Sequence, residues 1–342
     1  MDASDRTSRK SARLEDIARE AGVSISTVSR ALNDSPAVKR RTKQQIWKIA
    51  REHDYDFRST MPNGPIGAEA TIAVVAPAPQ ARETRVADPF FLELLAGIAE
   101  AARERNADLV ISHISPRTSE DVEFAMNTSR ATGVIFIGQS SLHNAFNDLA
   151  DRDNRFVVWG AEFADAHYCS IGSDNVTGGR RATSHLARLG RKRILFLGDI
   201  EAPEMEQRHR GYRRALEAAS IDLHEDLVVP AQFDVHSGEA ATQSAIERGV
   251  KFDAIFAASD LIAIGAIRAL TRAGLKVPED VSVVGYDNIS ASRLVTPRLT
   301  TIDQDANLAG RMLVSKLIDA RGGKATSARL ETSLLIRESC GG

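Results

Sequence analysis

At 342 residues the chain is too long for one small domain, and its 43% apolar and 26% charged residues belong to a packed globular protein, not a disordered one. No window approaches the roughly 18 consecutive apolar residues of a membrane span, and no apolar stretch follows the charged start at residues 1–10, so neither a membrane helix nor a secretory signal is expected. The net charge of −2 is unevenly spread: residues 1–58 hold 13 Lys/Arg against 9 Asp/Glu, net +4, and the rest is net −6, as when only the front end meets a polyanion.

The first predicted element is Leu14 to Ala21, where Leu14, Ile17, Ala18 and Ala21 form one helical stripe. Gly22 ends it, Val23 supplies an apolar plug, and Ser24 is a good N-cap for a second helix from Ile25. Val28 and Leu32 of that helix face inward, while Ser26, Ser29, Arg30 and Asn33 fall on the other side. Two short helices around a tight glycine turn make a helix-turn-helix. A third helix, about Thr42 to His53, offers Ile46, Ile49 and Ala50 to the small core, with Lys39, Arg40, Arg41 and Lys43 at its start. An outward face mixing Ser, Thr, Asn and Arg suits base edges and phosphates in a major groove.

The run from Leu14 to Asn33, with its Ala-Gly-Val-Ser-x-x-Thr-Val-Ser-Arg-x-Leu-Asn core, resembles the headpiece of the LacI/GalR family of transcription regulators. That resemblance implies that Ile25, Ser26 and Arg30 read bases, that Thr27, Ser29 and Asn33 contact or support the backbone, and that Tyr55 ends the third helix. The next stretch departs from the family. Gly64 stands at the position of the usual minor-groove leucine, Met61 at that of an alanine, and Pro62 and Pro65 make Met61-Pro62-Asn63-Gly64 a poor hinge helix.

After a linker at 58–70 the pattern changes to short apolar runs: Ile72–Val75, Leu109–Ile111, Val134–Ile137, Phe156–Trp159, Ile194–Leu197, Ala254–Ala257 and Val281–Val284. Helical spacing lies between most of them, at Phe91–Ala102, Gly179–Leu189, Tyr212–Ala219 and Ile262–Ala273, which predicts α/β layers with parallel sheets covered on both faces. The chain has no Gly-x-Gly-x-x-Gly after the first strand, no Gly-x-x-x-x-Gly-Lys-Ser/Thr and no Gly-x-Ser-x-Gly. Its eight histidines form no metal-ligand cluster, so no enzyme, cofactor or metal is expected. Cys169 and Cys340 read as ordinary thiols of a reducing cytoplasm.

The resemblance extends over this region through Asp88-Pro-Phe-Phe91, Gly172-Ser-Asp-Asn175, Arg208-x-x-Gly211-Tyr212, Val284-Gly-Tyr-Asp-Asn288, Pro297-x-Leu-Thr-Thr-Ile302-x-Gln304 and Ile336-Arg-Glu-Ser-Cys340. It implies a periplasmic-binding-protein-like core of two doubly wound lobes behind the all-α headpiece. The expected division is a headpiece at 12–57 and a core at 71–340, with lobe 1 about 71–173 and 304–330 and lobe 2 about 174–303 and 331–340. The three crossovers fall near 172–175, 301–305 and 331. Effector would bind between the lobes at the carboxyl ends of strands.

Asp287 follows an apolar strand, and its carboxylate suits paired hydroxyls; Arg208 offers a donor fork, and Phe233 a ring face for a sugar. By similarity these three match effector positions, as do Phe91 and Ser259, and Trp159-Gly160 is a further cleft candidate. The residues alone leave plainer readings open. Asp287 could cap its turn, Arg208 could pair with Glu204 or Glu206, and Phe91 and Phe233 could be core. The function implied is operator-DNA binding modulated by a small-molecule effector, expected to be a mono- or disaccharide, with a nucleobase as the alternative. A sensor without operator binding is a further alternative. The end at Ser339-Cys-Gly-Gly342, without leucine heptads, points to a homodimer on a pseudo-palindromic operator.

Overall fold

The computed structural model describes residues 14–32, 38–52, 70–76, 88–128, 131–139, 141–321 and 325–341. They fall into two compact units, one built on the first three helices and one holding both sheets. Asn33, Tyr55 and the hinge at 61–64 lie outside the described residues, as does the side chain of Leu32.

In the first unit α1 (Leu14–Ala21), α2 (Ile25–Leu32) and α3 (Arg40–Glu52) enclose Ile17, Ala18, Val28, Ala31, Val38, Ile46, Ile49 and Ala50. Apolar side chains three and four apart on each helix produce that convergence. Gly22 takes φ +66° and lets Val23 N donate to Ala18 O at 3.0 Å, which closes α1.

The second unit holds two six-stranded sheets. The first runs β11 (Ala328–Leu330), β5 (Ser170–Ser173), β4 (Phe156–Trp159), β3 (Gly133–Ile137), β1 (Thr71–Val75), β2 (Asp108–Ile111), all parallel. The second runs β12 (Ser333–Leu335), β10 (Thr300–Asp303), β9 (Ser282–Asp287), β8 (Ala254–Ala257), β6 (Ile194–Leu197), β7 (Val228–Val229), with only β12 antiparallel. Helices cover the strands, so β4, β6 and β8 are buried at every residue. Phe136, Phe146 and Phe156 centre the first core, and Phe196, Tyr212, Phe256 and Tyr286 the second.

The chain passes between sheets three times: from β5 into α7 (Asn175–Arg188), from β10 into α11 (Ala306–Arg321), and from β11 into β12. These passages bring the strand ends of both sheets to one place. Two departures from the periodicity have clear causes. Helix α8 (Pro203–Ala218) starts nine residues before the apolar stripe predicted it, because Pro203 suits a first helical position and the charged turn after it buries little besides Met205 and Arg208. β2 looks like a buried strand yet leaves Val110 and Ile111 each 46% exposed, because it is the sheet edge. Cys169 and Cys340 are both free thiols, the first half-buried and the second buried against His185.

Candidate DNA-binding headpiece and effector cleft

Ser24 organises the start of α2. Its Oγ accepts from Thr27 N at 3.2 Å and lies 2.8 Å from Thr27 Oγ1 and 2.9 Å from Ser26 Oγ. Thr27 is half-buried and tied into this cap, whereas Ile25, Ser26 and Arg30 are exposed. Ser29 is half-buried. An isoleucine left 46% exposed at the first turn of a helix-turn-helix is apolar surface aimed away from its own core. Lys39 and Arg41 are exposed at the start of α3.

In the core Arg208 sits on the second turn of α8 and is 3% exposed. Its Nε donates to Asn175 Oδ1 at 2.9 Å, Nη1 donates to the Ala258 carbonyl, and Nη1 stands 3.6 Å from Asp287 Oδ1. The guanidinium carbon lies 3.8 Å from the centre of the Tyr286 ring and 6.0 Å from that of Phe233. Close helix packing holds this arginine in place: a Cβ on Gly179 of α7 would overlap the Arg208 carbonyl oxygen, and one on Gly211 would overlap that of Val176.

Asp287 ends β9 at φ +118°, followed by Asn288 at +59°, so two consecutive residues occupy the left-handed region. Gln304, just past β10, donates to Asp287 Oδ1 at 2.5 Å and accepts the Ser173 hydroxyl at 2.5 Å, tying two of the inter-sheet passages to one carboxylate. Burial pushes the Asp287 carboxyl up to about 7, against the pull of Arg208; the Asp88 carboxylate raises it further. Asp260, at the first position of α10 (Asp260–Arg272), is also raised well above the usual range by burial and by Asp287. Its carboxylate accepts from Ile289 N at 2.9 Å and from the Thr301 hydroxyl at 2.5 Å, fixing the turn that carries Asp287. Ser259 is buried and spends its hydroxyl as the α10 cap, accepting from Ile262 N at 3.2 Å.

On the other sheet Trp159 ends β4, 7% exposed, with its ring 5.8 Å from that of Phe90. Phe91 is buried within α4 (Pro89–Glu104), and its N–H donates to Asp88 at 3.0 Å. Gln139, just past β3 and fully buried, donates to Ala161 O and Tyr168 Oη, at 2.7 and 2.8 Å. Contacts also bridge the two sheets' units of structure. The Gln207 amide donates to Glu162 O at 3.0 Å, Glu204 accepts from the Ala161 N–H, and Ser290 N donates to Glu93 at 2.6 Å. Buried carboxyls, a guanidinium and amides with an aromatic rim offer donors and acceptors to a small polar molecule.

Residues 13–56 match the bacterial regulatory proteins of the lacI family, and residues 183–340 match the periplasmic binding protein-like domain. The chain is 31% identical over 341 residues to the HTH-type transcriptional regulator CelR of Thermobifida fusca, covering 97% of this chain and 99% of that one. It belongs to the LacI family of transcription regulators. This regulator is also 30% identical to the HTH-type transcriptional repressor CytR of Escherichia coli K12, with 96% of each chain covered. Its fold matches that of a transcriptional regulator CelR–cellobiose complex at TM-score 0.70 and 30% identity, with 96% and 99% covered. The lac repressor dimer bound to operator and an anti-inducer matches at TM-score 0.68 and 26% identity, with 97% and 99% covered.

The LacI-family core thus brings Arg208, Asp287 and Phe233 together, while Ser259 and Phe91 are both buried and the Ser259 hydroxyl serves the helix cap. Arg208 makes its ion pair with Asp287 and none with Glu204 or Glu206. Phe233 is 40% exposed, a rim residue and not core. Asp260, Gln139, Glu204 and Gln207 were not predicted as site residues. Each is a polar residue just past a strand or in the first turns of a helix, which is the one sequence signal they carry.

Proposed function

We propose that this LacI-family regulator is a homodimeric, cytoplasmic repressor that binds a pseudo-palindromic operator and changes its affinity when a sugar, a mono- or disaccharide, occupies the cleft beside Asp287. The headpiece spans 12–57, the linker 58–70 and the two-lobed core 71–340. Ile25, Ser26 and Arg30 read base edges; Thr27, Ser29, Asn33 and Tyr55 position the helix on the backbone. Arg208, Asp287 and Phe233 hold the sugar, with Phe91 and Ser259 supporting the walls. The observation that carries this reading is the buried Arg208–Asp287–Gln304 network at the meeting of both sheets' strand ends. Its acceptors and donors suit neighbouring hydroxyls, and Phe233 and Trp159 suit the apolar face of a ring. The cellobiose bound to a relative 30% identical to this chain supports the sugar class. No described helix is long and apolar enough to cross a membrane, which agrees with a regulator that works on DNA.

A thermal-shift panel of mono- and disaccharides, nucleobases and sugar phosphates tests it. A ligand at about a hundred times its dissociation constant stabilises the fold by roughly 2.7 kcal/mol. The expected result is a sugar hit, lost in Asp287→Ala and Arg208→Ala. A hit confined to nucleobases would leave the regulator standing and overturn the sugar.

A further inference from the structure

A wide groove of about 600 Å³ lies on the second sheet's side of the core, lined by Arg293, Arg298, Ile336, Arg337, Glu338 and Gly341 and not by Asp287. The three arginines come from three separate segments: the short helical turn Ser290–Arg293, the approach to β10, and the exit from β12. Arg337 is half-buried and held rigidly. Its Nη1 donates to Ser292 Oγ at 3.0 Å and to Leu299 O at 2.6 Å, and its Nη2 to Asn288 Oδ1 at 2.6 Å. All these acceptors are neutral, and among the described residues no carboxylate lies within ion-pair distance of Arg337. Burial lowers the pKa of Arg337 and repulsion from Arg293 lowers it further; Asp260 and Asp303 pull the other way, and Arg298 adds the smallest repulsion. Arg293 is exposed and has no hydrogen-bond or ion-pair partner among the described residues. Only Arg298 is neutralised directly, by Glu338 at 2.8 Å.

Three arginines against one lining carboxylate, Glu338, with Arg337 partly desolvated and fixed, leave an excess positive potential in the groove. Guanidinium forks in that setting match the tetrahedral oxygens of a phosphate group. We propose that this groove is a second ligand site, for a small phosphate-type anion, distinct from the cleft at Asp287. Arg337 supplies the fixed donor edge, and Arg293 and Arg298 close over the anion from the rim. Through Asn288, which Arg337 grips, the groove touches the turn that carries Asp287.

The test is titration calorimetry of inorganic phosphate and of pyrophosphate into the full chain, with ionic strength held constant by potassium chloride. Saturable binding is expected, tighter for pyrophosphate. The double variant Arg293→Gln/Arg298→Gln, altered only at exposed positions, should weaken it at least tenfold. Glu338→Gln should strengthen it by releasing Arg298, and Asp287→Asn should leave it unchanged. No saturable heat, or equal binding by the double variant, overturns the site. Tighter phosphate binding in Asp287→Asn, which removes a carboxylate beside Arg208, would place the anion in the cleft and overturn it equally.

Discussion

Two buried charges, Arg208 and Asp287, dominate the residue scale, and each is tolerable only because of what surrounds it. Arg208→Ala would strand the Asn175 amide, the Ala258 carbonyl and the Asp287 carboxyl together. Breaking one side of a buried pair costs about 3–5 kcal/mol. A urea melt should show a loss near the lower end, because Asp287 can take up a proton. Asp287 also makes a pH prediction. Its folded pKa of about 7 lies above the ordinary 3.8, so its contribution to stability is complete below about pH 4 and is lost as pH rises through 7. In melts at pH 5 and pH 7.5 without effector, wild type should therefore lose stability relative to Asp287→Asn as pH rises. An unchanged difference between the two proteins would refute the raised carboxyl. Asp260 shares the titration, so the step belongs to the pair.

At the scale of elements, helix ends and helix contacts place the functional side chains. Ser24 holds the first turn of α2, so Ser24→Ala should destabilise the headpiece by about 1 kcal/mol and weaken operator binding with it. Circular dichroism melting of the chain and operator gel shifts read the two effects. Where α7 and α8 touch backbone to backbone, Gly211→Ala must push a Cβ into the Val176 carbonyl. Overpacking of that kind costs about 1–3 kcal/mol. It should also weaken effector binding, since α8 carries Arg208 and α7 begins with its partner Asn175. A variant with unchanged effector affinity would show that the helix contact does not set the arginine.

For the whole molecule, the positive front and acidic body divide the work between DNA and ligand. Operator affinity should fall linearly with the logarithm of salt concentration, because Lys and Arg of the headpiece release counterions from phosphates. Removing Arg30, exposed on α2, should cost about 1–3 kcal/mol and relax preference at one base position. Effector affinity, resting on a buried network, should change little over the same salt range. If both affinities fell in parallel, the division of labour between the two units would be wrong. Apolar periodicity by itself determined the headpiece helices and seven of the strands, since Leu14, Ile17 and Val28 or Ile194–Leu197 bury wherever their period dictates. It could not mark β5 or β10, whose Ser170-Ile-Gly-Ser173 and Thr300-Thr-Ile-Asp303 carry no apolar run, yet whose hydroxyls and backbone are paired by neighbours far along the chain. The cleft shows the same limit. Asp287 stands out at the end of an apolar strand, whereas Arg208 lies before the helical stripe that starts at Tyr212. That Gln304 and Ser173 would close on Asp287, and Asp260 fix its turn, depended on three passages between sheets. Hydrogen bonds across 131 residues, as from Ser173 to Gln304, follow from topology, and no local period encodes them.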